Sequence, residues 1–238
     1  MELIELKNKI CESFTGSTDE LNHVLDIVSN DRSVFPFNEY EHLILNLIAL
    51  GGLTYGQYLD IRSEYISENP YLWIFEISAP ATFGKFAQTY AQGKSTSLKI
   101  PSKKNDPHFS NEYDLWLDSI KIEVKASRAV NSDSSDPLYV KALSRNTQQP
   151  FLMNFQQLKP QCCDVFIWVA VFRDEIVTWV MSAKEVLQNP LFSKGQHRGN
   201  SGNEGQLHIT HDNIHVLDQY ELKSADIAQM IKEAAKRK

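Results

Sequence analysis

Residues 112–127, EYDLWLDSIKIEVKAS, decide the fold of this chain and concentrate its chemistry. In the second half of this stretch, apolar residues occupy every second position, at Ile120, Ile122, Val124 and Ala126. Successive side chains of a β-strand point to opposite faces, so the polar residues between them share the other face. The pattern predicts a strand with one face in the core.

The residues before this strand predict that it is one arm of a β-hairpin. Asp118 and Ser119 are good turn formers between two apolar runs. Asp114 opens the partner strand, near the far end of the ladder. Glu123 and Lys125 lie side by side on the polar face, and antiparallel pairing is expected to bring Asp114 close to one of them.

Two carboxylates and one ammonium at one place suit the hydrolysis of phosphodiesters. Mg²⁺ prefers oxygen ligands and often uses only one or two carboxylates, which leaves positions for water and substrate phosphate. A bound divalent cation stabilises charge on the phosphate and lowers the pKa of a bound water. The alternative interpretation is a solvated face, on which Glu123 and Lys125 form a surface ion pair worth at most ~1 kcal/mol.

An Asp, a short hairpin and then Glu-x-Lys in an apolar strand together resemble the PD-(D/E)XK nuclease superfamily, whose best-known members are type II restriction endonucleases. The resemblance implies that Asp114 and Glu123 bind Mg²⁺ and that Lys125 is the catalytic lysine near the attacking water. It also implies an α/β (α+β) restriction-endonuclease-like fold. The core of that fold, a four-stranded mixed sheet flanked by helices in the order αβββαβ, maps to residues 80 through 172.

The sequence departs from the motif at two places. Tyr113 stands before the first aspartate, where the name of the motif has proline. The helix predicted over ATFGKFAQTYAQ (81–92) contains no acid, although many members place a Glu there. Glu112 and Glu76 are the candidates for that outer metal ligand.

The rest of the chain divides into a helical part and a part rich in strands. Apolar residues at helical spacing predict a mainly helical N-terminal region over 1–79, a candidate lobe for DNA contact or dimerisation. Residues 80–238 are expected to form the nuclease core with inserted DNA-contact loops. Five further segments have these predictions: YLWIFEI (71–77) a strand or a buried helix turn, FLMNFQQLK (151–159) a helix, CDVFIWVAVF (163–172) a central strand, EIVTWVM (175–181) a strand, and SADIAQMIKEAAKRK (224–238) an amphipathic helix.

Basic residues in polar segments are the candidates for DNA contact. Lysine and arginine suit phosphate oxygens and base edges, whereas the alternative in each case is a solvated loop. The candidates are Lys103 and Lys104 before the hairpin, Arg128, Lys141 and Arg145 after it, and Lys194, His197 and Arg198 in the loop 193–206.

Composition limits these hypotheses without deciding among them. The chain has 238 residues, with 24 Lys plus Arg against 30 Asp plus Glu, and its net charge of −6 has the wrong sign for a protein that coats nucleic acid nonspecifically. Cys11, Cys162 and Cys163 are too few and too badly spaced for a disulfide framework or a zinc site. No apolar run approaches the ~20 residues that span a bilayer, so no membrane partner is expected and the predicted location is the cytoplasm.

The leading hypothesis is a Mg²⁺-dependent endonuclease that cuts double-stranded DNA, a type II site-specific deoxyribonuclease. The resemblance implies a homodimer and a cognate DNA methyltransferase as companion activity. Two alternatives stay open at this point: a DNA repair or structure-selective nuclease with the same centre, and a noncatalytic DNA-binding protein that uses its N-terminal helices.

Overall fold

A computed structural model of the chain shows the helices and strands that surround the hairpin. The described residues are 17, 19–20, 22–23, 46–195, 204–223 and 225–237. The chain divides into two units, Met1–Phe35 and Pro36–Lys238, and the hairpin lies in the second. Residues 1–16 and 24–45, which belong to the region predicted to be mainly helical, lie outside the described residues.

Helix α1 (Tyr55–Glu68), the first of the second unit whose bounds the structure gives in full, begins at a capping box. The Thr54 hydroxyl accepts a hydrogen bond from the Gln57 amide at 3.2 Å, and the Gln57 side chain accepts one from the Thr54 amide at 2.9 Å. The apolar run that follows is a 3₁₀ helix, Leu72–Glu76, so the helix turn is the correct alternative for this segment. Three of its side chains are buried in the same core as β2, the second strand of the hairpin (Ile120–Arg128).

Helix α2 (Pro80–Gly93) confirms the helix predicted before the hairpin. Proline is accommodated in its first turn because the missing amide hydrogen has no partner there in any helix. Ala87 and Ala91 are fully buried, and these small side chains let the helix pack closely against β2.

The described ranges form eight strands in two four-stranded sheets. The strands are β1 (Leu115–Leu117), β2 (Ile120–Arg128), β3 (Val130–Asn131), β4 (Phe151–Leu158), β5 (Val165–Val171), β6 (Ile176–Ser182), β7 (Phe192–Lys194) and β8 (Gly205–Thr210). The first sheet has the order β1-β2-β5-β6 and is mixed, because β2 and β5 run parallel while the other pairs are antiparallel. The second sheet has the order β3-β4-β8-β7 and is antiparallel.

The helix predicted over 151–159 is wrong, because this segment is strand β4. Phe151, Met153 and Phe155 alternate along it and are all buried against the first sheet. A bulge then shifts the register, with Gln157 at a φ of 57°, and Leu158 is buried as well. The bulge creates a three-residue spacing between the last two apolar side chains, which resembles helical spacing in the sequence.

The crossover between the parallel strands β2 and β5 therefore differs from the predicted order αβββαβ. A helix usually makes such a connection, whereas here the chain passes through β3 and β4 of the second sheet. The fold is mixed α/β with two sheets and several helices. The first sheet is mixed and four-stranded, but its fourth strand, β6, lies beyond the predicted range 80–172.

The core forms two layers on opposite faces of the first sheet. Strand β5 is buried along its whole length, which confirms the predicted central strand. Val165 and Ile167 face the layer that contains α2, whereas Phe166 and Trp168 face the second sheet. The rings of Phe155 and Trp168 meet edge to face at a centroid distance of 5.1 Å, joining the two sheets.

Two further α-helices and a second 3₁₀ helix, Ile214–Tyr220, complete the described chain. The six-residue helix α3 (Ala183–Gln188) follows β6, and α4 (Ile227–Lys236) confirms the predicted C-terminal helix. Asp226 caps α4 by accepting a hydrogen bond from the Ala228 amide at 2.9 Å. No helix within the described ranges has both the length and the apolar character needed to cross a membrane.

Candidate active site

The predicted hairpin is present, and its turn has the geometry that suits two antiparallel strands. Asp118 and Ser119 have φ values of 46° and 72°, and two consecutive positive values match the right-handed twist of a hairpin. The register pairs Leu117 with Ile120 and Leu115 with Ile122. Extended by one residue, this register places Asp114 opposite Glu123.

Asp114 is fixed by hydrogen bonds in three directions. Its backbone amide donates to the carbonyl of Ile122 at 2.9 Å, and its Oδ2 accepts from the amide of Val124 at 2.9 Å. Its own carbonyl accepts from Nε2 of Gln88, on α2, at 3.0 Å. The side chain thus extends the ladder beyond β1 and is held at the edge of the sheet.

Glu123 and Lys125 form an ion pair beside Asp114. Nζ of Lys125 lies 2.7 Å from Oε1 of Glu123, and the side chains of Lys125 and Glu123 are only 18% and 17% exposed. The register places Glu123 beside Phe166 and Lys125 beside Trp168, on the face that packs toward the second sheet. The alternative interpretation, a solvated ion pair on the surface, therefore does not fit Glu123 and Lys125.

The electrostatics of Glu123 reflect this setting. Burial raises the pKa of the Glu123 carboxyl to about 7, the ammonium of Lys125 opposes that increase, and the neighbouring carboxyl of Asp114 adds to it. Two carboxyl groups thus share a poorly solvated place with a single ammonium. Such a concentration of negative charge favours a cation.

The two carboxylates suit Mg²⁺ better than a metal whose ligands must all come from the protein. Among the described residues, no group of three or more His, Cys, Asp or Glu side chains is placed to hold a metal ion. A metal held by Asp114 and Glu123 alone would keep several coordination positions for water and substrate oxygens, as Mg²⁺ prefers. Glu112 and Glu76, the candidates for an outer ligand, are both exposed and do not join the pair.

A second cation lies near the site, and the sequence did not predict it. Lys159 follows β4 directly, and its Nζ lies 3.1 Å from Oε1 of Glu204. The hydrogen bond to Glu204 raises the pKa of Lys159, and the charge of Glu123 contributes further. The bulge at the end of β4 places this lysine, so the incorrect helix prediction for 151–159 concealed it.

A buried polar cluster holds the segment that precedes Asp114. The hydroxyl of Tyr113 donates to Oδ2 of Asp106 at 3.0 Å, and Nζ of Lys121 lies 3.2 Å from the same oxygen. Oδ1 of Asp106 accepts from the amide of His108 at 3.0 Å. Tyr113 therefore has a structural role at the position where the motif has proline.

The candidate DNA contacts before the hairpin and near β7 are exposed. Lys103 and Lys104 lie in a turn, and Lys104 lines a polar cavity of about 590 Å³ together with Lys99 and the hairpin turn. Lys194 is exposed at the end of β7. The remaining candidates of that loop, His197 and Arg198, lie outside the described residues.

The three candidates after the hairpin are engaged within the protein. The guanidinium of Arg128 lies 3.8 Å from the ring centroid of Phe83 and donates from Nη2 to the carbonyl of Ile77 at 2.6 Å. Nζ of Lys141 donates to the carbonyl of Ser134 at 3.3 Å. Arg145 pairs with Glu221 at 3.6 Å and lies over the ring of Phe172. Their roles in DNA contact stay predictions.

Comparison with known proteins gives no further information on this site. No family model matches the chain, and no curated protein matches it at a significant level. A proposed function for the chain therefore rests on the geometry of the hairpin and its surroundings.

Proposed function

We propose that this chain is a Mg²⁺-dependent endonuclease that hydrolyses phosphodiester bonds of double-stranded DNA. One observation carries the proposal: the hairpin brings Asp114, Glu123 and Lys125 together at one poorly solvated place at the edge of the first sheet. We further propose a restriction-endonuclease-like core and the role of a sequence-specific type II restriction enzyme, acting as a homodimer in the cytoplasm beside a cognate DNA methyltransferase.

The two carboxylates would hold the metal. Oδ2 of Asp114 is engaged by the Val124 amide, which leaves Oδ1 as the ligand atom, and Glu123 supplies the second carboxylate. When bound, Mg²⁺ stabilises negative charge on the scissile phosphate and lowers the pKa of a coordinated water. The hydrogen bonds to Asp114 fix the direction of its side chain before substrate arrives, which is the preorganisation that a catalytic site requires.

Lys125 would act on the substrate. Its ammonium is held by Glu123 at 2.7 Å and has further hydrogens to donate. Placed beside the carboxylates, it offsets charge on a phosphate oxygen and orients the attacking water. The ion pair with Glu123 also limits how far the ammonium group of Lys125 can extend into the site.

A basic segment beside the hairpin supports the approach of DNA despite the net charge of −6. Lys94, Lys99, Lys103 and Lys104 are all exposed. Lys99 exchanges two backbone hydrogen bonds with Trp116 of β1, at 3.0 and 2.8 Å, so the segment is tied to the hairpin edge. Local positive charge of this kind attracts the phosphate backbone.

Digestion of plasmid and phage DNA tests the proposal. The full chain should cut both in Mg²⁺ and neither in EDTA, and discrete bands from phage DNA would indicate site specificity. A smear would instead favour a repair or structure-selective nuclease. Equal DNA binding in Mg²⁺ and EDTA without any fragments would show a noncatalytic binding protein and refute the proposal.

A further inference from the structure

A cavity of about 370 Å³ lies at the end of β2, just beyond the candidate active site. Phe83 of α2, Ser127 and Arg128 of β2, and Asn154 and Gln156 of β4 contribute to its lining, and aliphatic side chains complete it. None of the three proposed catalytic residues lines it. The cavity is therefore a separate place on the strand that carries them.

Its distance from the catalytic residues corresponds to a few nucleotides. A β-strand rises ~3.3 Å per residue, so Ser127, which lines the cavity and shares a face of β2 with Lys125, lies roughly 7 Å along the strand from it. One strand of DNA advances ~3.4 Å per nucleotide along the helix axis. The cavity is thus within about three nucleotides of a phosphate held at Lys125.

The walls of the cavity suit a flat aromatic ligand. The Arg128 guanidinium lies 3.8 Å from the centroid of the Phe83 ring, and burial lowers the pKa of this arginine to about 10. Leu138 and Leu152 add apolar surface. Nucleobases stack on aromatic rings, guanidinium planes and aliphatic side chains. A phosphate would fit less well, because the lining has a single cation and much apolar surface.

Two polar atoms of the lining residues lack partners. In the part of the chain that the structure describes, Nε of Arg128 and Oδ1 of Asn154 are buried without a hydrogen bond. No carboxylate among the described residues pairs with this arginine. Buried polar groups are nearly always hydrogen-bonded, and both atoms lie behind the cavity surface. A rotation of the two side chains toward a ligand that has both an acceptor and a donor would supply the missing partners. The edge of a nucleobase offers such a combination, and Gln156 adds an exposed amide.

We infer that this cavity receives a single nucleobase turned out of the DNA helix near the point of cutting. The inference rests on the proposed endonuclease function and adds a binding site for a base to it. Stacking on the pair formed by Phe83 and Arg128 would hold the base, and Asn154 and Gln156 would contact its hydrogen-bonding edge.

Binding of short duplexes to the full chain in Ca²⁺ tests the inference without cleavage. The probe is a 14-base-pair duplex that spans a cleavage site mapped in the plasmid digest. It carries a central 2-aminopurine, paired with thymine in one version and mismatched with cytosine in the other. Turning out a mismatched base costs less, so the mismatched duplex should bind at least tenfold more tightly. The fluorescence of 2-aminopurine should rise severalfold on binding, because the base leaves the stack.

Variants of the lining test whether the base enters this cavity and no other part of the protein. Asn154→Leu and Gln156→Ala should each reduce the preference for the mismatched duplex to less than twofold. The exposed Gln156 can be replaced without disturbing the core, and Gln229→Ala, which removes a glutamine on α4, is the matched control with an unchanged preference. Thermal unfolding of each variant verifies the fold.

The possible outcomes distinguish failure of this inference from failure of the endonuclease proposal. Equal binding of the two duplexes by the unmodified chain, with constant fluorescence, excludes an extruded base and leaves the endonuclease proposal standing. A preference that persists in both lining variants shows that another place receives the base. Loss of cleavage with retained fluorescence in Lys125→Ala supports both proposals, whereas no DNA binding by the unmodified chain refutes both.

Discussion

Replacing Asp114 by Asn and by Ala separates its structural role from its proposed metal-binding role. Oδ2 of Asp114 accepts the hydrogen bond of the Val124 amide at 2.9 Å. Asn keeps an acceptor oxygen of the same shape, whereas Ala leaves this partly buried amide without a partner. A lost partner of this kind costs ~1–3 kcal/mol of unfolding free energy.

The difference between the two variants measures the contacts of the Asp114 side chain that an amide keeps and a methyl group does not, chiefly this hydrogen bond. Burial raises the pKa of Glu123 and the charge of Asp114 adds to that increase; both substitutions remove this charge, so the electrostatic effect is the same in each. For a chain of 238 residues, 1 kcal/mol corresponds to a shift of about 2–4 °C in the melting temperature. We expect Asp114→Ala to melt roughly 2 to 12 °C below Asp114→Asn.

Activity should not follow this order of stability. A neutral amide is a far poorer ligand for a hard cation than a carboxylate, so both variants should lose Mg²⁺-supported plasmid cleavage. Unfolding is measured by the fluorescence of the buried Trp168 and Trp179, and cleavage by conversion of supercoiled plasmid. Wild-type cleavage by Asp114→Asn would refute the metal-binding role, and equal melting temperatures of the two variants would refute the structural one.

Three other substitutions test the site and the fold. Lys125→Ala should abolish cleavage while calorimetry still detects Mn²⁺ binding, and cleavage at the wild-type rate would show that the site is wrongly assigned. Phe155→Ala should cost ~3–5 kcal/mol in urea denaturation, because this ring is buried between the two sheets; a loss below 1 kcal/mol would contradict that packing. Burial opposes ionisation of Glu185, but hydrogen bonds from Arg237 and from Ser182 hold the pKa of Glu185 below its ordinary 4.5. The stability gained over Glu185→Gln should therefore be present at pH 7 and disappear as the pH falls below about 4.5, and a pH-independent difference in urea midpoint would exclude this ionisation.

The hairpin could be predicted from the sequence because its signals are local. Alternating apolar residues define the buried face of β2, and Asp118 and Ser119 define the turn. Antiparallel pairing then determines which residue of the first strand approaches Glu123. A stretch of sixteen residues, 112–127, is therefore enough to predict that the three candidate catalytic residues lie close together.

Features that depend on distant segments could not be predicted in this way. The bulge at Gln157 interrupts the alternation of β4, so the spacing of its apolar residues favours a helix although the segment is a strand. Gln88 reaches Asp114 only because α2 packs on β2, a contact between residues 26 apart. The cavity at Arg128 likewise needs β4 and α2 together.

The parallel pairing of β2 with β5 has a consequence for how the site is assembled. Strand β1 pairs with only the first three residues of β2, and β5 pairs with the rest, including Glu123 and Lys125. The side chain of Asp164, which leads into β5, bonds to Lys121 across 43 residues of sequence. When synthesis has passed only the hairpin, the nascent chain therefore contains all three proposed catalytic residues. It still lacks β5, the strand that covers Glu123 and Lys125. High contact order of this kind slows folding, so the proposed catalytic site would be complete only late, after the ribosome has delivered both sheets.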